Sequence, residues 1–414
     1  MPRLAGYSLL VSSLLTLTAR ADAPGAGSIS FRGFGTLGVV RNSADQAELV
    51  RDVSQPGGAG NGAWRGTVDS LVGAQLNAQL GEDLEGVFQV VSKYGPDRSY
   101  RPEVAWAFLK YAPAPGFTLR GGRLGFDVYQ LSDTRNIGYS YLWVRPPVEF
   151  YGPLPLSRLD GVDLTVAWDL GPGTAKLKLF GGFANEKVPA GVGQFFDLGG
   201  SPLLGGNLEY QVPGWTFHVA YATLSPHREL SPQVAELLDA LGSPELAAIS
   251  PDARAAAARM KVKDRLNQYL SFGIGFDQGP FQATFMASHF TSRSETLPAY
   301  RSGYLTLGYR FGRLTPFLTG SAIQTRSNRV DPGLADVPAF ADLRTGVAEL
   351  LALGQARQTD LGLGLRWDLR HNLDLKAQID RVRNRDTTLM LWQNGKPTWN
   401  GDATVVSLAL DFIF

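Results

Sequence analysis

The chain has 414 residues, with 39 Lys and Arg against 38 Asp and Glu, four His and no Cys. Near-neutral charge gives no support to a nucleic-acid binder, which would show a basic face and a raised pI, and zero cysteine excludes disulfide scaffolds, thiol nucleophiles, iron–sulfur clusters and Cys-type zinc sites. Charged residues are 19% of the chain, below the roughly 25% of soluble domains, and an apolar fraction of 44% favours neither disorder nor a helical membrane bundle.

Residues 1–21 read as a secretory signal. Arg3 gives the positive start, Leu9 to Leu17 a short apolar core, and Ala19-Arg20-Ala21 a small-x-small cleavage site. Cleavage there removes two arginines and no acid, so the net charge changes from +1 to −1. After this leader no run approaches the roughly 18 apolar residues of a spanning helix, a test to which a β-barrel is blind.

From there a single rhythm repeats: a stretch of alternating apolar character, then a break. Sixteen stretches follow it, near 29–40, 64–80, 84–95, 103–111, 117–124, 161–169, 174–183, 204–212, 215–224, 266–277, 280–292, 299–311, 314–326, 356–368, 372–385 and 402–414. In the last, Val406, Leu408, Leu410, Phe412 and Phe414 share one face, and Ser407, Ala409 and Asp411 the other. In 356–368, Leu361, Leu363, Leu365 and Trp367 alternate with Asp360, Gly362, Gly364, Arg366 and Asp368. A helix would mix these sets; a strand separates them. In 103–111, 117–124 and 314–326 the alternation is too irregular to assign faces.

The breaks alternate as well. Gly81-Glu82-Asp83, Ala112 to Gly116, Gly171-Pro172-Gly173, Pro213-Gly214, Gln278-Gly279-Pro280, Gly312-Arg313 and Arg370-His371-Asn372 are hairpin chemistry. Most others are long: 41–63, 125–160, 184–203, 225–265, 327–355 and 386–401. Helix formers make the loops at 225–265 and 327–355 partly helical. Short turns on one rim, long loops on the other and an even strand number describe a transmembrane antiparallel β-barrel of about 16 strands. A strand of about 12 residues at ~3.3 Å rise and ~45° tilt spans the roughly 25 Å apolar band. The expected organisation is thus a signal peptide at 1–21 and one barrel domain at 22–414. A soluble all-β protein competes with it. The barrel is favoured by aromatics near the ends of the apolar faces (Phe88, Tyr94, Tyr309, Phe311, Trp367, Phe412, Phe414) and by charges and glycines on the polar faces.

The segment 123–163 is the densest in chemistry. It holds Arg123, Asp127, Asp133, Arg135, Arg145 and Glu149 together with Tyr129, Tyr139, Tyr141, Trp143, Phe150 and Tyr151. Loop 125–160 is therefore expected to fold into the lumen, its aromatics packing on the wall and its charges setting a transverse field. Alternation places Lys176, Lys178, Glu209, Arg310, Asp360, Arg366 and Lys376 on the lumen wall, with Arg65, Asp69, Glu85, Lys93, Arg120, Asp368, Asp374, Asp380 and Asp411. Bases and acids are equal in number, so the total predicts no ion selectivity.

The whole pattern resembles the sixteen-stranded, general-porin-like family of Gram-negative outer-membrane porins. Asp411-Phe412-Ile413-Phe414 is similar to the porin C-terminal strand, Pro147-Val148-Glu149-Phe150-Tyr151-Gly152 to the Pro-Glu-Phe-Gly character of the constriction loop, and Phe31 to Gly38 and Gly122 to Gly125 to other stretches of such proteins. The resemblance implies an outer-membrane location amid lipid and lipopolysaccharide. It also implies delivery by the barrel assembly machinery with Phe414 as the signal, a homotrimer, and passive diffusion of small hydrophilic solutes and ions.

Enzymatic motifs are weak. Gly33 to Gly38 fits G-x-G-x-x-G, but strand pattern continues through Val39-Val40 where a helix should open. His218, His227, His289 and His371 lack metal-motif spacing, and Ser288 and His289, adjacent on a strand, point to opposite faces. No cofactor, metal, nucleic-acid partner or catalytic residue is expected. The function expected is a water-filled, charge-lined channel narrowed by loop 125–160. The alternatives are a closed barrel with a structural or adhesion role and a barrel esterase or phospholipase.

Overall fold

The computed structural model describes residues 27–414 except 192–193, 327–332, 353, 386–390 and 397. The leader expected at 1–21 lies outside the described residues. Sixteen antiparallel strands form one closed barrel: β1 (Ile29–Asn42), β2 (Leu71–Gln79), β3 (Leu84–Lys93), β4 (Glu103–Ala114), β5 (Phe117–Gly125), β6 (Arg158–Leu170), β7 (Gly173–Ala184) and β8 (Ser201–Val212), then β9 (Trp215–Leu224), β10 (Asn267–Gln278), β11 (Phe281–Ser292), β12 (Tyr300–Tyr309), β13 (Leu314–Thr325), β14 (Arg357–Arg370), β15 (Leu373–Asn384) and β16 (Asp402–Ile413). Each strand pairs with its neighbours in sequence. Closure comes from β1, which pairs with β2 on one side and β16 on the other, with Phe34 opposite Ile413 and Asn42 opposite Val405. Phe414 completes the seam, exchanging backbone hydrogen bonds of 2.8 and 2.9 Å with Gly33.

The outward parity carries the grease. Leu361, Leu363, Leu365 and Trp367 are exposed, as are Leu37, Val39, Leu204, Leu270, Phe281 and Phe414. Apolar side chains facing out along every strand make a membrane surface. Several strand glycines sit beneath aromatic rings: Gly33 under Phe414, Gly35 under Phe412, Gly73 under Phe34 and Gly364 under Phe317, where a Cβ would enter the ring. The ring restores the packing that glycine lacks.

The second strand starts later than alternation alone indicates. Residues 64–80 read as one strand, yet Trp64–Arg65 make a separate short pairing with Val40 and Arg41, and β2 begins at Leu71. The reason is local: the Ser70 hydroxyl takes over the ladder at Gly38, donating to its carbonyl (3.0 Å) and accepting from its N–H (3.1 Å). The resulting turn aims Asp69 into the lumen, where it is 1% exposed.

On the loop rim, three helices follow β9: α1 (Pro232–Leu241), α2 (Pro244–Ile249) and α3 (Pro251–Met260). Each opens on a Ser-Pro pair. Ser231 and Ser243 accept from the N–H groups of Val234 and Leu246, and the prolines fill positions whose N–H would be orphaned. With α4 (Ala341–Ala352) they bury Leu238, Leu241, Met260, Val347 and Leu350 as a small cap. Among the described residues no helix is long and apolar enough to cross a membrane.

Candidate functional site

Residues 126–157, joining β5 to β6, lie inside the barrel. Their apolar side chains drive this: Phe126, Val128, Tyr129, Trp143, Phe150 and Tyr151 are buried and pack with wall residues Phe180, Tyr269, Met286, Tyr304 and Phe317. The rings of Tyr129 and Tyr151 meet edge to face at 4.8 Å, and those of Phe150 and Tyr304 at 5.2 Å. Three of its polar tips find partners: the Tyr151 and Tyr304 hydroxyls lie 3.0 Å apart, and Trp143 Nε1 donates to Thr306 Oγ1 at 2.8 Å.

Three sets of ionic and polar contacts then fix the loop to the wall. At its start, Asp127 is ion-paired with Lys178 of β7, Asn207 of β8 donates to the Asp127 carbonyl at 3.0 Å, and Ser271 of β10 donates to the Val128 carbonyl. Burial alone would raise the Asp127 pKa, but the Lys178 ammonium holds it below the usual carboxylate range. Asp133 lies 3.8 Å from the same ammonium.

In the middle, Gly138 meets β15, β16 and β1. Lys376 Nζ donates to the Gly138 carbonyl at 2.6 Å and pairs with Asp411 at 3.0 Å, and the Thr36 hydroxyl donates to Asp411. Arg366 donates to the carbonyls of Tyr139 (2.8 Å) and Tyr141 (3.2 Å) while pairing with Asp374 at 3.0 Å. Asp374, Lys376 and Asp411 are all 0% exposed. A Cβ at 138 would overlap the Asp411 carboxylate and come within 2.6 Å of Thr36 Oγ1, so this approach requires glycine.

Toward its end, Arg145 makes a two-pronged ion pair with Asp69 (2.9 and 2.7 Å), donates to Ser407 at 2.7 Å and lies 3.8 Å from Asp380. Glu149 accepts from Ser321 and Gln358, both at 2.6 Å.

Of the two remaining residues expected at the constriction, Arg135 stays within the loop and Arg123 lies outside the lumen. Arg135 braces the loop internally, donating to Tyr129 Oη (2.8 Å) and the Leu156 carbonyl (3.1 Å). Arg123 takes the outward parity of β5 and pairs with Asp160 at 2.7 Å, while Arg120 and Leu124 turn inward. On the wall, Lys176 is partly exposed beside Lys178. Glu209 accepts from Gln211 at 2.8 Å, and Arg310 pairs with Asp277 (2.7 Å) near the turn rim, away from the loop. Arg65 is exposed on the short strand above β1. Charge content alone overlooks the neutral partners Asn207, Ser271, Ser321, Thr306, Gln378 and Ser407. Their signal is parity: each lies on the inward face of its strand, which Asn207, Ser271, Gln378 and Ser407 share with Glu209, Asp277, Asp380 and Asp411.

The wall at β2–β4 is different. Across β2, β3 and β4 runs a polar ladder: Gln89 donates to Gln75 (2.8 Å), Gln75 to Asn77 (2.8 Å), Asn77 to Glu85 (2.9 Å) and Lys110 to Glu85 (3.1 Å). The Lys110 and Glu85 side chains keep 34% and 21% exposure and touch no loop residue through these bonds.

No family model and no curated protein sequence matches the chain. Solved structures do. The chain aligns over 95% of its length with 99% of OmpT, an outer-membrane protein of Vibrio cholerae, at TM-score 0.54 and 12% identity. A loop L8 deletion mutant of OmpT aligns over 94% and 100%, at 0.55 and 11%. OmpF of Salmonella typhi, in complex with daunomycin, aligns over 94% and 98%, at 0.53 and 11%. Identity this low speaks to fold alone, and the fold is that of a Gram-negative outer-membrane, porin-like barrel.

Proposed function

We propose that this chain is an outer-membrane channel through which small hydrophilic solutes and ions diffuse passively, with residues 126–157 as its constriction. The observation that carries this reading is the asymmetry of the lumen. The loop is fastened to the wall at β7, β8, β10 and β12–β16, while the Gln75, Asn77, Glu85 and Lys110 ladder on β2–β4 stays partly exposed. Water and solutes would pass along that ladder, between fixed polar groups and the loop. No step of the proposed transport requires a cofactor or a covalent intermediate.

A bore squeezed to one wall conducts less than an unobstructed barrel of sixteen strands. Planar-bilayer recording of the purified protein should show discrete steps of small conductance, and liposomes should swell in small sugars before large ones. Insertion without conductance would refute the channel and favour a closed barrel. One observation gives that second reading its weight: Asp374, Lys376 and Asp411 are wholly excluded from solvent inside the lumen. Assembly as a homotrimer, contact with lipopolysaccharide, and Phe414 as the feature read by the barrel assembly machinery belong to the same proposal. Cross-linking in native membranes tests the first.

A further inference from the structure

The lipid-facing columns of the barrel end in two ways at the loop rim. Along β15 the outward residues run Leu373, Leu375, Ala377 and Ile379, then Arg381, Arg383 and Arg385. On β14 the column of Leu365, Leu363 and Leu361 runs out through Thr359 to Arg357. On β1 Val39 is followed by Arg41, and on β12 Leu305 and Gly303 are followed by Arg301. All six arginines are exposed. On β7–β10 the same columns end without charge, at Phe183, Leu204, Tyr221 and Leu270. Where β5 and β6 carry charge on this face, Arg123 and Asp160 cancel one another.

The basic arc lacks counter-charge. Asp402 pairs with Arg381 at 3.0 Å, and among the described residues no acid pairs with the other five. Arg357 and Arg385 stand directly across from one another, the Arg385 N–H donating to the Arg357 carbonyl at 2.8 Å. Facing side chains on neighbouring antiparallel strands start about 5 Å apart, and like charges there repel. Arg383 follows on the same face of β15, about 7 Å along the strand from Arg385. These charges sit directly above the leucines that meet hydrocarbon. The rim with the long loops faces the outer leaflet, so the groups that meet an arginine there are lipid headgroups. Phosphate takes the guanidinium fork in two parallel hydrogen bonds.

We propose that Arg357, Arg383 and Arg385 form a binding site for the phosphate of an outer-leaflet lipid, with Arg41 and Arg301 widening the basic arc to either side. A phosphate seated among the three turns their mutual repulsion into attraction. The Leu361 and Ile379 columns below then receive its acyl chains. Tightly held lipid would collect on this arc and not on β7–β10. The inference rests on the lipopolysaccharide contact proposed above and gives it a place; it uses nothing about conductance.

Native mass spectrometry of the full barrel in neutral detergent micelles, titrated with bisphosphorylated lipid A, tests the site. The parent barrel should bind this lipid at least about tenfold more tightly than dephosphorylated lipid A. The triple variant Arg357→Gln, Arg383→Gln, Arg385→Gln should bind the phosphorylated form about 100-fold more weakly, since three charges near the headgroups are lost. Arg228→Gln, which removes an exposed arginine paired with Asp197, should bind as the parent does. Parent-like binding by the triple variant overturns the site and leaves the contact elsewhere on the barrel. A parent that binds no lipid A refutes the contact itself. Equal binding of the two lipids overturns the role of phosphate. Displacement of lipid A by an equal concentration of inorganic phosphate makes this a free-anion site and overturns the lipid assignment. A loss in Arg228→Gln as large as in the triple variant replaces a site with diffuse charge. Should the triple variant fail to give heat-modifiable barrel, Arg357→Gln alone is read. It should weaken binding about fivefold, and parent-like binding overturns the site. A barrel that conducts and fails this test loses the site and keeps the channel.

Discussion

Two walls of one lumen follow the same alternation and end in different states. On β2–β4 the inward residues Gln75, Asn77, Glu85 and Lys110 bond to one another along the wall and keep some water. On β14–β16 the inward residues Asp374, Lys376 and Asp411 are fully buried and Arg366 mostly so; Lys376 and Arg366 donate to the carbonyls of residues 138, 139 and 141, and the two acids pair with them. Parity decides only that a side chain faces in. Whether it meets water depends on where the intervening loop lands. A covered charge must find a partner, whereas an open one need not. The covered wall therefore specifies loop position, and the open wall is left to face solute.

The sharpest way to break this contrast is at Arg145. Alanine there leaves Asp69 and Asp380 buried near no guanidinium, a loss of about 3–5 kcal/mol by analogy with other severed buried pairs. The heat-modifiability midpoint should fall steeply and conductance should rise as the loop's end leaves β13–β16. An unchanged midpoint would mean that the wall does not hold the loop. Gly138→Ala comes next. Its methyl meets Asp411 and Thr36, and overpacking of this kind costs about 1–3 kcal/mol. Limited proteolysis should then cut within 126–157 where the parent barrel resists. Deleting Phe414 follows. It removes two backbone hydrogen bonds to Gly33, worth about 1 kcal/mol each, at the seam that closes the barrel. The yield of heat-modifiable barrel in membranes should drop, and normal yield would deny Phe414 an assembly role.

The sequence carries parity well where alternation is unbroken. Leu361, Leu363, Leu365 and Trp367 face out, and Asp360, Gly362, Gly364 and Arg366 face in, as residues 356–368 indicate on their own. It carries parity poorly around β5, where Gly122 has a positive φ of 134° and Arg123 turns outward to Asp160. The start of β2 was hidden because one serine hydroxyl replaces backbone pairing, and hydropathy does not register that exchange. The docking partners were out of reach for another reason. Gly138 and Lys376 are 238 residues apart, and only closure of the barrel brings them together. The three Ser-Pro pairs at 231, 243 and 250 mark helix starts that helix propensity alone does not locate.

The smallest effect on stability should come from the open wall, and it separates charge from architecture most cleanly. Lys110 and Glu85 form a partly exposed pair, and such pairs contribute about 0–1 kcal/mol. Lys110→Gln keeps the length and the hydrogen-bonding tip while removing one positive charge from the proposed path. The unfolding midpoint should stay within about 1 °C of the parent, given that small energy. Reversal potentials under a salt gradient should move toward cations, because the unmasked Glu85 carboxylate then dominates the local field. A midpoint shift as large as that of Arg145→Ala would place this wall among the supports of the fold. An unmoved reversal potential with a normal midpoint would put the ions' path elsewhere in the lumen, and the ladder would then be one more face whose inward parity says nothing about what passes it.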